Sequence, residues 1–200
     1  VLIEIDPKRP NPRNISKAVD ALKNGEIIIY PTDTCYGIGG DIFSKKAIEK
    51  IYEIKRVSKN TPFSFVCPDL KDISKYAFVT DFAYRIMKKY LPGPFTFILE
   101  GSREVPKLML TKRRTVGIRI PDHSICLAIV ETLGNPIITT TASFPDYGII
   151  SDPREMQEIT GKNVSIIIDS GIISPSPSTV ISLIDKEFTI IRDGGHIISP

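Results

Sequence analysis

The chain has 200 residues, 42% of them hydrophobic and 24% charged, and its 26 Lys and Arg against 23 Asp and Glu leave a net charge of +3. This length and apolar share suit one hydrophobic core and exclude a disordered polymer, while so even a balance excludes wholesale attraction to nucleic acid or membrane. No apolar run approaches the roughly 20 residues of a membrane helix, and the N-terminus turns acidic at Glu4 and Asp6 where a signal peptide would be basic. Three scattered cysteines, Cys35, Cys67 and Cys126, and two histidines fit neither a zinc site nor a disulfide framework. The expectation is a single domain over residues 1–200 that is cytoplasmic, makes no membrane contact, keeps its thiols reduced and holds no metal of its own.

In chain order, Ile15, Ala18, Val19 and Leu22 recur at helical spacing after a capping candidate, Asn14, and Gly25 supplies the stop. Residues 26–30 are apolar on both faces, as in a buried strand, and break into Pro31-Thr32-Asp33-Thr34. Ser44 opens a second helix with Ala47, Ile48, Ile51 and Tyr52 on one face, ending near Lys55, and residues 63–67 read as the next strand. A helix at 82–90, strands at 95–99 and 116–120, a helix at 124–133 and a strand at 136–141 follow. Asp152-Pro153 starts a last helix that Gly161 ends, and three strands at 165–168, 178–183 and 188–191 close the chain, the last part antiparallel. Leu91-Pro92-Gly93-Pro94 and Ser174-Pro175-Ser176-Pro177 are loops, because a fixed φ and a missing N–H do least harm there. The pattern predicts an α/β fold, a twisted open sheet, mixed or mostly antiparallel, flanked by helices, with ligands near strand ends.

Alternation along residues 115–120 sends Val116, Ile118 and Ile120 to one face and Thr115, Gly117 and Arg119 to the other. An arginine beside a glycine suits a carboxylate or phosphate, and it equally suits a salt bridge. Thr139, Thr140 and Thr141 bring hydroxyls to a strand end, as ligand contacts or as ordinary strand residues, with Thr140 on the opposite face from its neighbours. Gly37, Gly39 and Gly40 follow the Thr32 segment as a binding loop or a plain turn, without the spacing of a phosphate-binding loop. Lys55 and Arg56 close the second helix, and Lys112-Arg113-Arg114 form a basic cluster open to phosphates or to solvent.

Five segments in order resemble the YrdC/YciO family from roughly Asn14 to Gly195. They are Pro31-Thr32-Asp33-Thr34-Cys35-Tyr36-Gly37, Leu91-Pro92-Gly93-Pro94-Phe95-Thr96, Val116-Gly117-Ile118-Arg119-Ile120-Pro121, Pro177-Ser178-Thr179-Val180-Ile181 and Ile191-Arg192-Asp193-Gly194. The resemblance implies an α/β fold around a central cavity, binding of double-stranded RNA or tRNA, and synthesis of threonylcarbamoyl-AMP from L-threonine, bicarbonate and ATP in the pathway to tRNA threonylcarbamoyladenosine. By position it implies that Thr32, Arg119, Thr139 and Ser178 contact L-threonine and that Lys55, Thr141, Ser143 and Arg192 contact ATP. Lys55 and Arg119 would be catalytic, and Mg2+ would arrive with the nucleotide.

Two positions depart from the YrdC branch and resemble the YciO branch. A Lys-x-Arg pair becomes Lys55-Arg56-Val57, and a Ser-x-Asn pattern becomes Thr141-Ala142-Ser143. Losing one preorganised cation costs roughly a hundredfold or more in rate. The departures therefore imply weak synthase activity or, alternatively, a non-catalytic RNA-binding protein; a related enzyme with another acid substrate is a third reading.

Overall fold

Five of the six α-helices begin where a side chain answers their free N–H groups. The computed structural model describes residues 1–200, and in it α1 (Pro12–Lys23) is capped by Asn11, whose Oδ1 accepts from the Arg13 N–H at 2.9 Å. The cap thus lies three residues before the expected Asn14: Pro12 fits the first helical turn, where its missing N–H costs nothing. Ser44 caps α2 (Lys45–Lys55), Asp69 caps α3 (Leu70–Tyr76), Thr80 caps α4 (Asp81–Tyr90) and Asp152 caps α6 (Pro153–Thr160). Helix α5 (Ser124–Leu133) starts at His123 without a side-chain cap and ends at Gly134, whose φ of 82° is left-handed.

The strands are β1 (Leu2–Glu4), β2 (Ile28–Tyr30), β3 (Gly37–Gly39), β4 (Ser64–Val66), β5 (Phe95–Glu100), β6 (Thr115–Arg119), β7 (Ile137–Thr141), β10 (Ile166–Asp169), β11 (Thr179–Ser182) and β12 (Thr189–Arg192). They form one ten-stranded sheet in the order β1-β10-β2-β3-β7-β4-β6-β5-β11-β12, and β8 (Ser143–Phe144) pairs with β9 (Gly148–Ile149) in a separate hairpin. The sheet is mixed. Its tail corrects the antiparallel expectation: β11 and β12 are antiparallel, but β10 runs parallel to β2 and β11 parallel to β5. Strand β7 joins the two halves, pairing with β3 through Thr140 and Thr141 and with β4 from Ile137 to Thr139.

The glycine segment is not a loop, for Gly37 and Gly39 lie in β3 between β2 and β7. A Cβ on Gly39 would stand 2.6 Å from the Tyr30 ring and 3.0 Å from the Ile138 carbonyl, so these glycines admit the buried tyrosine to the sheet face.

Period-two alternation divides the core. Ile29, Ile38, Phe65, Phe97, Ile118, Ile138 and Ile181 pack on one face under α2, α3, α4 and α6. Ile28, Tyr30, Val66, Ile137, Ile166 and Ile168 pack on the other under α1 and α5. Those two helices cover only the half of their face around β10, β2, β7 and β4. Over the remaining half the same face turns polar, with Ser64, Gly117, Arg119 and Thr139 in register across β4, β6 and β7.

Candidate functional site

A cavity of about 370 Å³ opens above that uncovered half-face. Its lining includes Thr96 of β5, Gly117 and Arg119 of β6, Thr139 and Thr141 of β7, Ser178 before β11 and Arg192 of β12. Gly117 keeps the floor low, because a Cβ there would fall on the Ser64 side chain and within 3.4 Å of Thr96 Cγ2. Arg119 and Arg192 are the two cationic side chains in the lining.

Arg119 is only 6% exposed. Its Nη2 donates to Asp33 Oδ1 at 2.6 Å and its Nη1 to Thr34 Oγ1 at 3.1 Å, while its buried Nε has no partner in the chain. The salt-bridge reading of this residue therefore holds, and its side chain also forms part of the cavity lining. The other oxygen of Asp33 accepts from the Asp122 N–H at 3.0 Å, which fixes the carboxylate on both sides. Behind it Thr32 Oγ1 donates to the Cys35 carbonyl at 2.6 Å, accepts from the Thr34 and Cys35 N–H groups, and lies 3.0 Å from Thr34 Oγ1. The Thr32 hydroxyl thus organises the turn that presents Asp33 and Thr34, and Thr32 stands outside the cavity lining.

At the β11 side, Ser178 Oγ and Thr96 Oγ1 share a hydrogen bond of 2.9 Å. Arg192 donates from Nε and Nη2 to the Ser178 carbonyl, and from Nη2 to its Oγ at 3.1 Å, with no acidic partner. Gly194 packs flush against the Pro177–Thr179 backbone, where any Cβ would collide with the Pro177 carbonyl, and its N–H donates to Thr179 Oγ1 at 3.0 Å. This anchors the strand end that carries Arg192.

Lys55 comes from the end of α2 to the end of β7. Its ammonium donates to the Thr141 carbonyl at 2.9 Å, the Ser143 carbonyl at 2.8 Å and Ser143 Oγ at 2.5 Å, engaging all three N–H groups. Lys55 and Ser143 adjoin the lining through Thr141 without being part of it. Arg56 takes a left-handed conformation, φ 49°, that ends α2, and its guanidinium pairs with Asp146 at 3.1 Å in solvent. It therefore does not occupy the place of the departed arginine, and Val57 packs beside the core.

Burial lowers the Lys55 pKa from 10.5 to about 8, with the Cys35 sulfur offsetting part of the effect. The unfolded chain holds this proton up to the ordinary lysine value and the folded chain releases it earlier, so between the two values the unfolded state binds more protons. Stability should then rise with pH across that window. Urea denaturation at several pH values should show this rise in the natural protein and not in Lys55→Met; equal slopes would mean that the ammonium is not desolvated.

The structure thus brings Arg119, Thr139, Thr141, Ser178 and Arg192 to one cavity, with Lys55 and Ser143 at its edge and Thr32 one hydrogen-bonded step behind. Sequence reasoning missed Asp33 as the partner of Arg119, and Thr96 and Ser64 as lining. The acidic residue in Pro31-Thr32-Asp33-Thr34, directly after a buried strand, is the one signal that pointed to it. Lys112, Arg113 and Arg114 are exposed, on a turn whose flanking Thr111 and Thr115 line the cavity. No group of three or more His, Cys, Asp or Glu side chains is placed to hold a metal ion, and no helix is long and apolar enough to cross a membrane.

A mixed sheet, helix-covered on one face and half-open on the other, defines an α/β protein with one arginine- and hydroxyl-lined cavity. The chain belongs to the Sua5/YciO/YrdC family, whose model, described as "Telomere recombination", matches residues 20–194. It is 38% identical to YciO of Escherichia coli K12 over 198 residues, 98% of this chain and 96% of the relative. The crystal structure of E. coli YciO matches with a TM-score of 0.91 over 96% of this chain and 95% of that one. Threonylcarbamoyl-AMP synthase of Mus musculus is 32% identical over 88% of this chain and 65% of its own length. The crystal structure of P. abyssi Sua5 complexed with L-threonine matches at 25% identity with a TM-score of 0.89, over 96% of this chain and 57% of that one.

Proposed function

We propose that the cavity binds L-threonine and ATP and that the chain makes threonylcarbamoyl-AMP from L-threonine, bicarbonate and ATP, feeding tRNA threonylcarbamoyladenosine formation. The observation that carries this reading is Arg119, a buried guanidinium in the cavity lining with one hydrogen on each of Nη1 and Nη2 left without a partner in the chain. A guanidinium so placed receives a carboxylate, and the hydroxyls of Thr139 and Ser178 are at hand for the rest of the amino acid. Thr32 acts through the turn that holds Thr34 and Asp33 against the arginine. Kinship with a threonylcarbamoyl-AMP synthase and with a threonine-bound Sua5 supports the same substrate.

The threonine amine and bicarbonate give a carbamate and water. A carbamate oxygen then attacks the α-phosphorus of ATP, the bond to the β-phosphate oxygen breaks, and pyrophosphate leaves. Arg192, carrying full charge, offsets the phosphates, and Thr141 offers its hydroxyl; Lys55 and Ser143 hold the end of β7 beside them. Mg2+ enters as part of the nucleotide substrate.

Pyrophosphate release is expected to require all three substrates, measured with each omitted in turn. Release that persists without threonine would assign the cavity to another acid. The exposed Lys112-Arg113-Arg114 turn at the cavity rim favours a second reading, a non-catalytic protein that binds double-stranded RNA or tRNA. Steeply salt-dependent RNA binding without turnover would support it.

A further inference from the structure

We propose that Asp33 determines specificity: by pairing with Arg119 from behind the cavity, it restricts that anion position to groups bearing a single negative charge. The inference rests on the reading that Arg119 receives the substrate carboxylate. Asp33 is not in the lining, yet its Oδ1 lies 2.6 Å from Arg119 Nη2, with the side chains 11% and 7% exposed respectively. Its second oxygen is held by the Asp122 N–H, so the carboxylate cannot turn away without losing that bond.

The charge sum follows. Arg119 and Asp33 together are neutral before any ligand arrives. One carboxylate raises the local total to one negative charge, and a phosphate dianion raises it to two beside a fixed carboxylate that little water screens. The second hydrogens on Nη1 and Nη2 of Arg119, which have no partner in the chain, remain for an incoming oxygen. Arg192 differs, since its donors go to a carbonyl and a hydroxyl and nothing cancels its charge. One cavity therefore holds two arginines of unequal demand for negative charge. A molecule with a carboxylate at one end and phosphates at the other is oriented by that inequality alone.

Methyl sulfate and methyl phosphate have the same shape and differ by one charge at pH 8, because the second ionisation of a phosphate monoester falls near 6. Their affinities should be measured by calorimetry in an Arg192→Ala background, which leaves Arg119 as the one cation of the lining, with L-threonine measured in parallel. Methyl sulfate is expected to bind at least tenfold more tightly than methyl phosphate. Adding Asp33→Asn should shift the ratio at least tenfold toward the dianion, and Asp33→Glu should keep the original preference. Equal affinities in the background protein, or a ratio unmoved by Asp33→Asn, would overturn the proposal. Should Asp33→Asn not fold, the background ratio and Asp33→Glu still decide. Threonine distinguishes the two levels: if methyl sulfate is selected and threonine does not bind, the threonine reading falls and the charge rule stands, whereas threonine binding without discrimination sinks the charge rule alone.

Discussion

Arg119→Ala is expected to lower threonine-dependent pyrophosphate release by a hundredfold or more and to destabilise the fold by about 3–5 kcal/mol. The two effects have different origins. Activity falls because the carboxylate loses its guanidinium. Stability falls because Asp33, 11% exposed, is left as a buried charge with one remaining backbone donor. Combining Arg119→Ala with Asp33→Asn removes the stranded charge, so urea denaturation should show much of the stability restored while turnover stays absent. If the double variant recovered activity, Arg119 would be a structural residue and the carboxylate would bind elsewhere.

The largest gain is expected from Val57→Arg combined with Ser143→Asn, about a hundredfold in pyrophosphate release, the worth of one preorganised cation. The structure sharpens this expectation, because Arg56 is committed to ending α2 in a left-handed conformation and to Asp146 in solvent. Arg56 therefore does not fill the missing role. Ser143 also matters through Lys55, since its Oγ and carbonyl take two of the three ammonium protons. An asparagine there changes the acceptor that holds the lysine. Steady-state rates with the three substrates, compared for the natural protein, each single variant and the pair, test the point. A rate unmoved by the pair would mean that the natural substrate is a different acid.

Where a pattern was local and long enough, the sequence spelled the structure out. Helix α2 showed its apolar stripe, Ser44 cap and end at Lys55, and alternation placed Arg119 opposite Ile118 on β6. Strand β3 did not show, because three residues with two glycines carry no period, and its glycines are dictated by Tyr30 across the sheet. Strand β1 is three residues held by β10 from the far end of the chain, and α3 has seven residues, too few for a stripe to register. At the site, the residue types were readable and their pairings were not. Asp33 meets Arg119 across 86 positions, and Lys55 is held largely by backbone carbonyls that have no side-chain signature. Nothing in a linear pattern separates a hydroxyl that lines a cavity, such as Thr139, from one that braces a turn, such as Thr32.

The unbroken ladder through β7 has a mechanical consequence. Hydrogen bonds run from β1 to β12 without a gap, and the helix-packed half and the cavity half both draw on β7 and β4. There is no seam about which the halves could swing, so the cavity has a stiff floor. Whatever yields to admit a ligand belongs to the walls: the rim at Thr111 and Thr115 and the stretch that ends at Ser178.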